Sequence, residues 1–337
     1  MPAARPVRAP RRAVAALASL LVVVTLAGCG TPEPTASSEP RVTPEGGWTT
    51  RGVAGLDVRV HLPGTAPTLG RGRALMIGLH GCGQTGRELA ATGSWVATAD
   101  AHGMVVALPT VPDGGVLAGC WDYYGPDHSR TAPARHDDDL LALTRALVAD
   151  PRYDVDPDQV YVAGVSSGAG EAMVLGCLAP DLFAGVGLAA GPTIGTTATQ
   201  TREVATDAAT ARRLCASLAG RHRGAFATQL TSVVHGADDR LAAPGYATVS
   251  AETMAGLYGA TSTAAIDPAD LPGGRPDDDG TVYSDARGPR VSLVTVDGLG
   301  HAWPAGAPPG GPFVSATGLD YPAYLTDFLF AHNRRVR

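Results

Sequence analysis

The sequence has no apolar run long enough to cross a bilayer as a helix. Its N-terminal apolar stretch, Ala13 to Ala27, stops at fifteen residues, short of the roughly 20 that a spanning helix needs. It also has no basic run, and a formal net charge of −6 excludes the phosphate-neutralising surface of a nucleic-acid binder. No Cys-x-x-Cys pair and no His/Cys cluster has the spacing of a zinc site, so neither a metal nor another cofactor is expected. No internal repeat divides the chain, which argues against a solenoid or a propeller.

What stands at the N-terminus is organised. Arg5, Arg8, Arg11 and Arg12 precede the apolar stretch without an acid among them, and Leu26-Ala27-Gly28-Cys29 closes it. A charged segment, a short apolar core and small residues describe an export signal. Leu-Ala-Gly-Cys resembles the lipobox of bacterial lipoproteins, which implies a lipid on Cys29 and an outward-facing membrane anchor after residues 1–28 are removed. Arg11-Arg12 leaves both general and twin-arginine export open. Loss of the four arginines takes the formal charge from −6 to −10. Residues 29–47 are rich in Pro, Thr, Ser, Glu and Gly and read as a flexible tether. The remaining 290 residues, 48–337, suffice for one large catalytic domain. With Cys29 lipidated, Cys82, Cys120, Cys177 and Cys215 remain. An even number suits disulfides in an oxidising compartment, and spacing leaves all three pairings open.

From Trp48 onward, strand and helix patterns alternate. Leu56–Leu62 alternates apolar and polar residues and predicts an antiparallel edge strand. Ala74–Leu79 and Met104–Leu108 are continuous apolar runs, as strands covered on both faces require. Helices are expected over 137–149, 168–179, 206–219, 246–258 and 321–331, and strands over 159–163, 183–190, 230–234 and 291–296. This alternation predicts an α/β fold with a mostly parallel sheet and helices on both faces. Asp137, Asp138 and Asp139 are expected to cap their helix. The stretches 111–136 and 261–289 read as long irregular loops, and Asp277–Gly280 as a solvated turn.

The chemistry begins at Gly164-Val165-Ser166-Ser167-Gly168, a G-x-S-x-G motif between a predicted strand and a predicted helix. A serine on so sharp a turn projects its hydroxyl above the sheet, and the glycines make room for it. Centring on Ser167 fails, because Val165 and Ala169 stand where glycines belong. Ser166 is therefore the expected nucleophile, and it needs a base held by an acid. Two later strands run into His235-Gly236-Ala237-Asp238-Asp239 and Gly298-Leu299-Gly300-His301, at the ends where open sheets build their sites. His301 is the expected base. Asp239 is the expected acid, with Asp238 bracing the turn. Leu79-His80-Gly81-Cys82-Gly83 follows the first buried strand, and the amides of Cys82 and Ser167 are the expected oxyanion donors.

These motifs, with Cys120-Trp121-Asp122-Tyr123-Tyr124 and Gly300-His301-Ala302-Trp303 in the same order, resemble the esterase family of extracellular poly(3-hydroxybutyrate) depolymerases. Feruloyl and acetylxylan esterases are related to that family. The resemblance spans roughly 48–335. It implies an α/β-hydrolase fold, a Ser166–Asp239–His301 triad and an ester substrate, oligomeric or polymeric. It also suggests a Cys82–Cys120 disulfide, leaving Cys177 and Cys215 as the second pair. It makes Trp121, Tyr123 and Trp303 candidates for the cleft wall; His80 is expected to hold its loop and is carried with them as a possible substrate contact. Departures are Asp122-Tyr123-Tyr124 in place of Asn-Trp-Phe, and Ala242 in place of a valine. No linker and substrate-binding domain follow, so soluble oligomers or small esters are the expected substrates. The competing readings are a feruloyl or acetylxylan esterase and a catalytically silent, surface-binding lipoprotein.

Overall fold

The structure is a computed structural model and describes residues 47–125 and 127–336. The expected signal segment, the Cys29 lipidation site and nearly all of the tether lie outside the described residues. The apolar runs form strands because only a sheet covered on both faces can bury them. These are β3 (Arg73–Leu79) and β4 (Val105–Pro109), and beside them run β5 (Val155–Val165), β6 (Gly185–Ala189) and β7 (Leu230–Gly236). With β1 (Trp48–Val53), β2 (Leu56–His61), β8 (Ser262–Ile266), β9 (Asp279–Asp285) and β10 (Gly288–Val296), they make a ten-stranded sheet. Its order is β1-β2-β4-β3-β5-β6-β7-β10-β9-β8. The strands from β4 to β10 in that order are parallel, and an antiparallel pair flanks each side.

Among the described residues seven α-helices pack with the sheet: α1 (Gly86–Thr92), α2 (Trp95–His102), α3 (His136–Ala149), α4 (Ser167–Leu178), α5 (Ala208–Ala219), α6 (Gly245–Tyr258) and α7 (Tyr321–His332). Leu140, Leu143, Met173, Ala211 and Met254 of α3 to α6 share one buried cluster, while Leu89, Trp95, Leu325 and Leu329 of α1, α2 and α7 share another. The sheet therefore separates two cores. α4 is buried on every side, so it has no polar face to display and runs through the interior. That rigid position matters, because the helix starts immediately after Ser166.

Three expectations about elements change. Leu56–His61 is not an edge strand, since β1 pairs outside it. The stretch 261–289 is not an irregular loop, because β8 and β9 extend the sheet there. β8 reads Ser-Thr-Ala-Ala-Ile and is mostly exposed, so backbone pairing rather than apolar alternation defines it. Asp278 is not a solvated turn residue: it is 2% exposed, and its carboxylate accepts from the Arg275 and Asp297 amides at 2.8 and 3.0 Å. Asp297 opens the loop that carries His301. Among the three helix-capping aspartates, Asp138 accepts from the Ala134 and Arg135 amides, but Asp137 is fully buried and meets His128 at 3.0 Å.

Candidate active site

β5 ends at Val165, and the next residue takes a conformation that L-residues avoid. Ser166 has φ 58° and ψ −121°, a strained geometry that persists only where the surroundings impose it. The surroundings are explicit. A Cβ on Gly164 would collide with the Gly168 carbonyl, and one on Gly168 would collide with the carbonyls of Leu79 and His80. Ser166 N–H donates to the Ala189 carbonyl of the neighbouring strand at 2.9 Å. The turn is thus clamped between β3 and β6, which leaves its hydroxyl at the carboxyl edge of the sheet.

His301 donates from Nδ1 to Asp239 Oδ2 at 2.8 Å. That bond selects the tautomer with Nε2 free to accept a proton. Ser166 and His301 line one cavity of about 330 Å³. Asp239 has no exposed side-chain surface, and its other oxygen accepts from the Leu241 and Ala242 amides at 2.8 and 2.9 Å. His235 Nε2 approaches Oδ2 at 3.0 Å and the Ala242 carbonyl at 3.1 Å. Both neighbours are acceptors, so this nitrogen carries a hydrogen. Burial pushes the Asp239 carboxyl up, but the hydrogen bonds from His235 and His301 outweigh it and hold the group well below the usual carboxylate range. Asp238, by contrast, is exposed, and it is its backbone N–H that braces the turn, on the Leu299 carbonyl at 3.0 Å.

Cys82 and Ser167 line the same cavity. Ser167 opens α4, so its N–H lacks a partner in a preceding turn. Neither that amide nor the Cys82 amide has an acceptor among the described residues. Both are therefore available to an oxyanion beside Ser166. Gln84 holds the Cys82 loop from behind: Oε1 accepts from the Gly81 amide at 2.9 Å, and Nε2 donates to the Pro312 carbonyl at 2.8 Å. The Cys82–Cys120 and Cys177–Cys215 disulfides are both present. The first joins the Cys82 loop to the segment bearing Leu117, Tyr123 and Tyr124, all of which line the cavity.

Tyr123 alone of the expected substrate contacts lies on the cavity wall. Trp121, Trp303 and His80 are corrected, because each is at most 1% exposed and none lines the cavity. Trp121 donates its indole N–H to the His80 carbonyl at 2.9 Å. Trp303 packs on Trp95 and Tyr321 and donates to the Gly93 carbonyl at 3.2 Å. His80 Nδ1 donates to the Gly81 carbonyl at 2.7 Å, and Nε2 accepts from the Val111 amide at 3.1 Å. Burial lowers its pKa, against a smaller upward effect of the Gly81 bond. His80 therefore holds the loop, the role expected of it first, and makes no contact with the cavity. In place of the tryptophans, Leu117 and Phe313 form the rim, 62% and 45% exposed, and each sits at positive φ. Phe313 also meets the His301 ring edge-on, with centroids 5.8 Å apart. No sequence signal marks these two, since a lone apolar residue in a loop has no period to betray it.

Among the described residues, one group of acids lies close enough to hold a metal: Asp122, Asp137 and Glu171, with oxygens within 4.8 Å of one another. Their partners argue for another state. Arg135 donates to Asp122 at 2.6 Å, and His128 pairs with Asp137. Glu171 is fully buried, with neither carboxylate oxygen partnered among the described residues. Burial, then the charges of Asp137 and Asp122, push its pKa well above the ordinary range, which favours its protonated form.

Comparison with known proteins agrees with this architecture. Residues 56–261 match the family model described as Esterase PHB depolymerase. A poly(3-hydroxybutyrate) depolymerase of Ralstonia pickettii is 39% identical over 287 residues, 81% of this chain and 57% of the relative. A poly(3-hydroxyalkanoate) depolymerase C of Paucimonas lemoignei is 27% identical over 74% of this chain and 59% of the relative. The chain thus spans less than two thirds of the length of these two relatives. Among solved structures, an acetyl xylan esterase from Aspergillus awamori superposes with a TM-score of 0.61 at 17% identity, covering 75% of this chain and 93% of that one. The chain has an α/β-hydrolase fold and belongs to the Esterase PHB depolymerase family.

Proposed function

We propose that this chain is a serine esterase of the depolymerase type, cleaving short-chain or oligomeric hydroxyalkanoate esters through an acyl-enzyme on Ser166. The observation that carries the reading is the strained Ser166 turn, sharing one cavity with a histidine whose Nδ1 is held by a buried carboxylate. In this mechanism Ser166 Oγ bonds to the scissile carbonyl carbon as His301 Nε2 takes its proton. The charge that moves to the carbonyl oxygen meets the amides of Cys82 and Ser167. Collapse breaks the ester bond, and His301 returns the proton to the departing alkoxide, which leaves as an alcohol. Water then repeats the sequence on the acyl-enzyme and frees the acid. Asp239 stabilises the imidazolium in both steps without taking the proton.

The test is labelling with a fluorophosphonate probe alongside p-nitrophenyl butyrate turnover. Ser166→Ala should remove both, with a rate loss on the order of 10⁴-fold or more. An active Ser166→Ala beside a dead Ser167→Ala would overturn the frame.

The same proposal includes export: residues 1–28 as signal, Cys29 as the lipid anchor, 29–47 as tether and 48–337 as catalytic domain. Two disulfides support an oxidising compartment. No helix among the described residues is long and apolar enough to cross a membrane. Mass analysis of the N-terminal peptide from cells decides it, since an unmodified Cys29 behind an uncut signal removes the anchor.

A further inference from the structure

The cavity shared by Ser166 and His301 is lined almost wholly by neutral groups, and no acid stands among its lining residues. Its one permanently charged lining residue is Arg202. That residue is exposed and has no carboxylate partner among the described residues. It places a positive centre at the cavity of a chain that is acidic as a whole, with a formal charge of −6.

Arg202 is not carried on a loose strand of chain. The Thr201 carbonyl accepts from the Ala243 amide at 2.8 Å. The fully buried Tyr246 donates its hydroxyl to the Gln200 and Glu203 carbonyls at 2.6 and 2.8 Å and accepts from the Ala205 amide at 3.1 Å. The backbone is therefore pinned on both sides of Arg202. The pins come from Ala243 and from α6, which directly follow the loop that holds Asp239. The same local structure thus positions the acid of the proposed triad and the backbone that carries Arg202.

From this arrangement we infer that Arg202 recognises a carboxylate on the substrate, so that the preferred ester is a hydroxyacid oligomer with a free carboxyl end. The inference rests on the esterase reading above. Its chemistry is specific, because in an oligo(hydroxyacid) the free carboxylate always lies on the alcohol side of the ester bonds. In a dimer it stands only a few bonds from the scissile carbonyl carbon. With that carbon at Ser166, the leaving hydroxyacid keeps its charge inside the cavity, against the guanidinium. Neutral esters forgo this contact. An acidic protein otherwise repels such an anion, so a local positive centre also aids its capture. Arginine suits the task, being permanently charged and able to present two parallel N–H donors to one carboxylate.

The experiment compares kcat/KM for the 3-hydroxybutyrate dimer as free acid and as methyl ester, at a pH where the acid is ionised. The wild type should favour the acid by about two- to fivefold, the range expected of an exposed ion pair. The preference should appear mainly in KM and shrink with added salt. Arg202→Gln should erase it, Arg202→Lys should retain part of it, and Arg202→Glu should invert it. Equal rates on the two dimers in the wild type, or a preference that survives Arg202→Gln, would overturn the inference while leaving the esterase reading intact. Turnover of both dimers by Ser166→Ala at the wild-type rate would instead overturn the reading on which it rests.

Discussion

Replacing Asp239 by asparagine exchanges one oxygen for an amide and leaves the size unchanged, which isolates the carboxylate's hydrogen-bonding role. In the native site every approach to that carboxylate is a donor: the Leu241 and Ala242 amides on one oxygen, and His301 Nδ1 and His235 Nε2 on the other. An asparagine satisfies only one side. With its oxygen toward the two backbone amides, its NH₂ faces both imidazoles. His235 retains the Ala242 carbonyl as an acceptor and loses little. His301 has no such alternative and must present Nδ1 as an acceptor. Its hydrogen then moves to Nε2, where the serine proton should go. Under the proposed mechanism the general base is lost while the fold persists, because one of the two hydrogen-bonded sides is kept. The expected loss in kcat is about 10³–10⁴-fold, equivalent to roughly 4–5.5 kcal/mol of transition-state stabilisation. Steady-state turnover of p-nitrophenyl butyrate measures it, with circular dichroism as the check on folding. Asp238→Asn is the control, since that side chain is exposed, and it should cost less than about threefold. Equal losses at the two positions, or a folded and fully active Asp239→Asn, would refute the assignment.

The two disulfides should respond differently to reduction, although each closes a loop with a separation of 38 residues and so carries a similar chain-entropy contribution of about 4 kcal/mol. Cys82 and Cys120 line the cavity, so Cys82→Ala with Cys120→Ala should depress kcat by up to about 10²–10³-fold through the oxyanion amide. Cys177→Ala with Cys215→Ala should chiefly lower the midpoint of denaturation, and a reversed pattern in paired activity and melting measurements would contradict this. Glu171→Gln should change stability in a pH-dependent direction. Below about 4.5 the carboxyl is protonated in both the folded and the unfolded chain. As pH rises, the unfolded chain ionises while the buried group keeps its proton, so the wild type loses at most about 1.4 kcal/mol per pH unit until the folded group titrates. The variant escapes that loss, so its advantage in urea denaturation should widen as pH rises above about 4.5. An advantage independent of pH would exclude a proton on Glu171.

The sequence by itself determined those parts of this protein whose physical cause is local. Continuous apolar runs specify strands covered on both faces, and β3 and β4 formed where such runs stood. Only one frame around Ser166 has glycines on both sides, and the close approaches of Gly164 and Gly168 show why no other residue type fits. The order of strand-end loops brought Asp239 and His301 into the argument before any distance was known, and family resemblance rather than spacing suggested the disulfide pairs that are present.

What only the tertiary structure decided depends on groups far apart in sequence. A tryptophan in a motif looks the same whether it faces substrate or core; Trp121 and Trp303 turned inward because their indole N–H groups find carbonyls at His80 and Gly93. The polar strand β9 exists because β10 offers it an edge, and β8 because β9 then offers another, which no periodicity within 261–289 encodes. His235, Gln84 and Asp278 hold the loops of the site through bonds to backbone atoms. Such contacts leave no pattern in a sequence, since any carbonyl or amide serves as the partner. The cavity wall was likewise undetermined. Leu117, Arg202 and Phe313 come from three separate segments, and folding alone sets them around one serine.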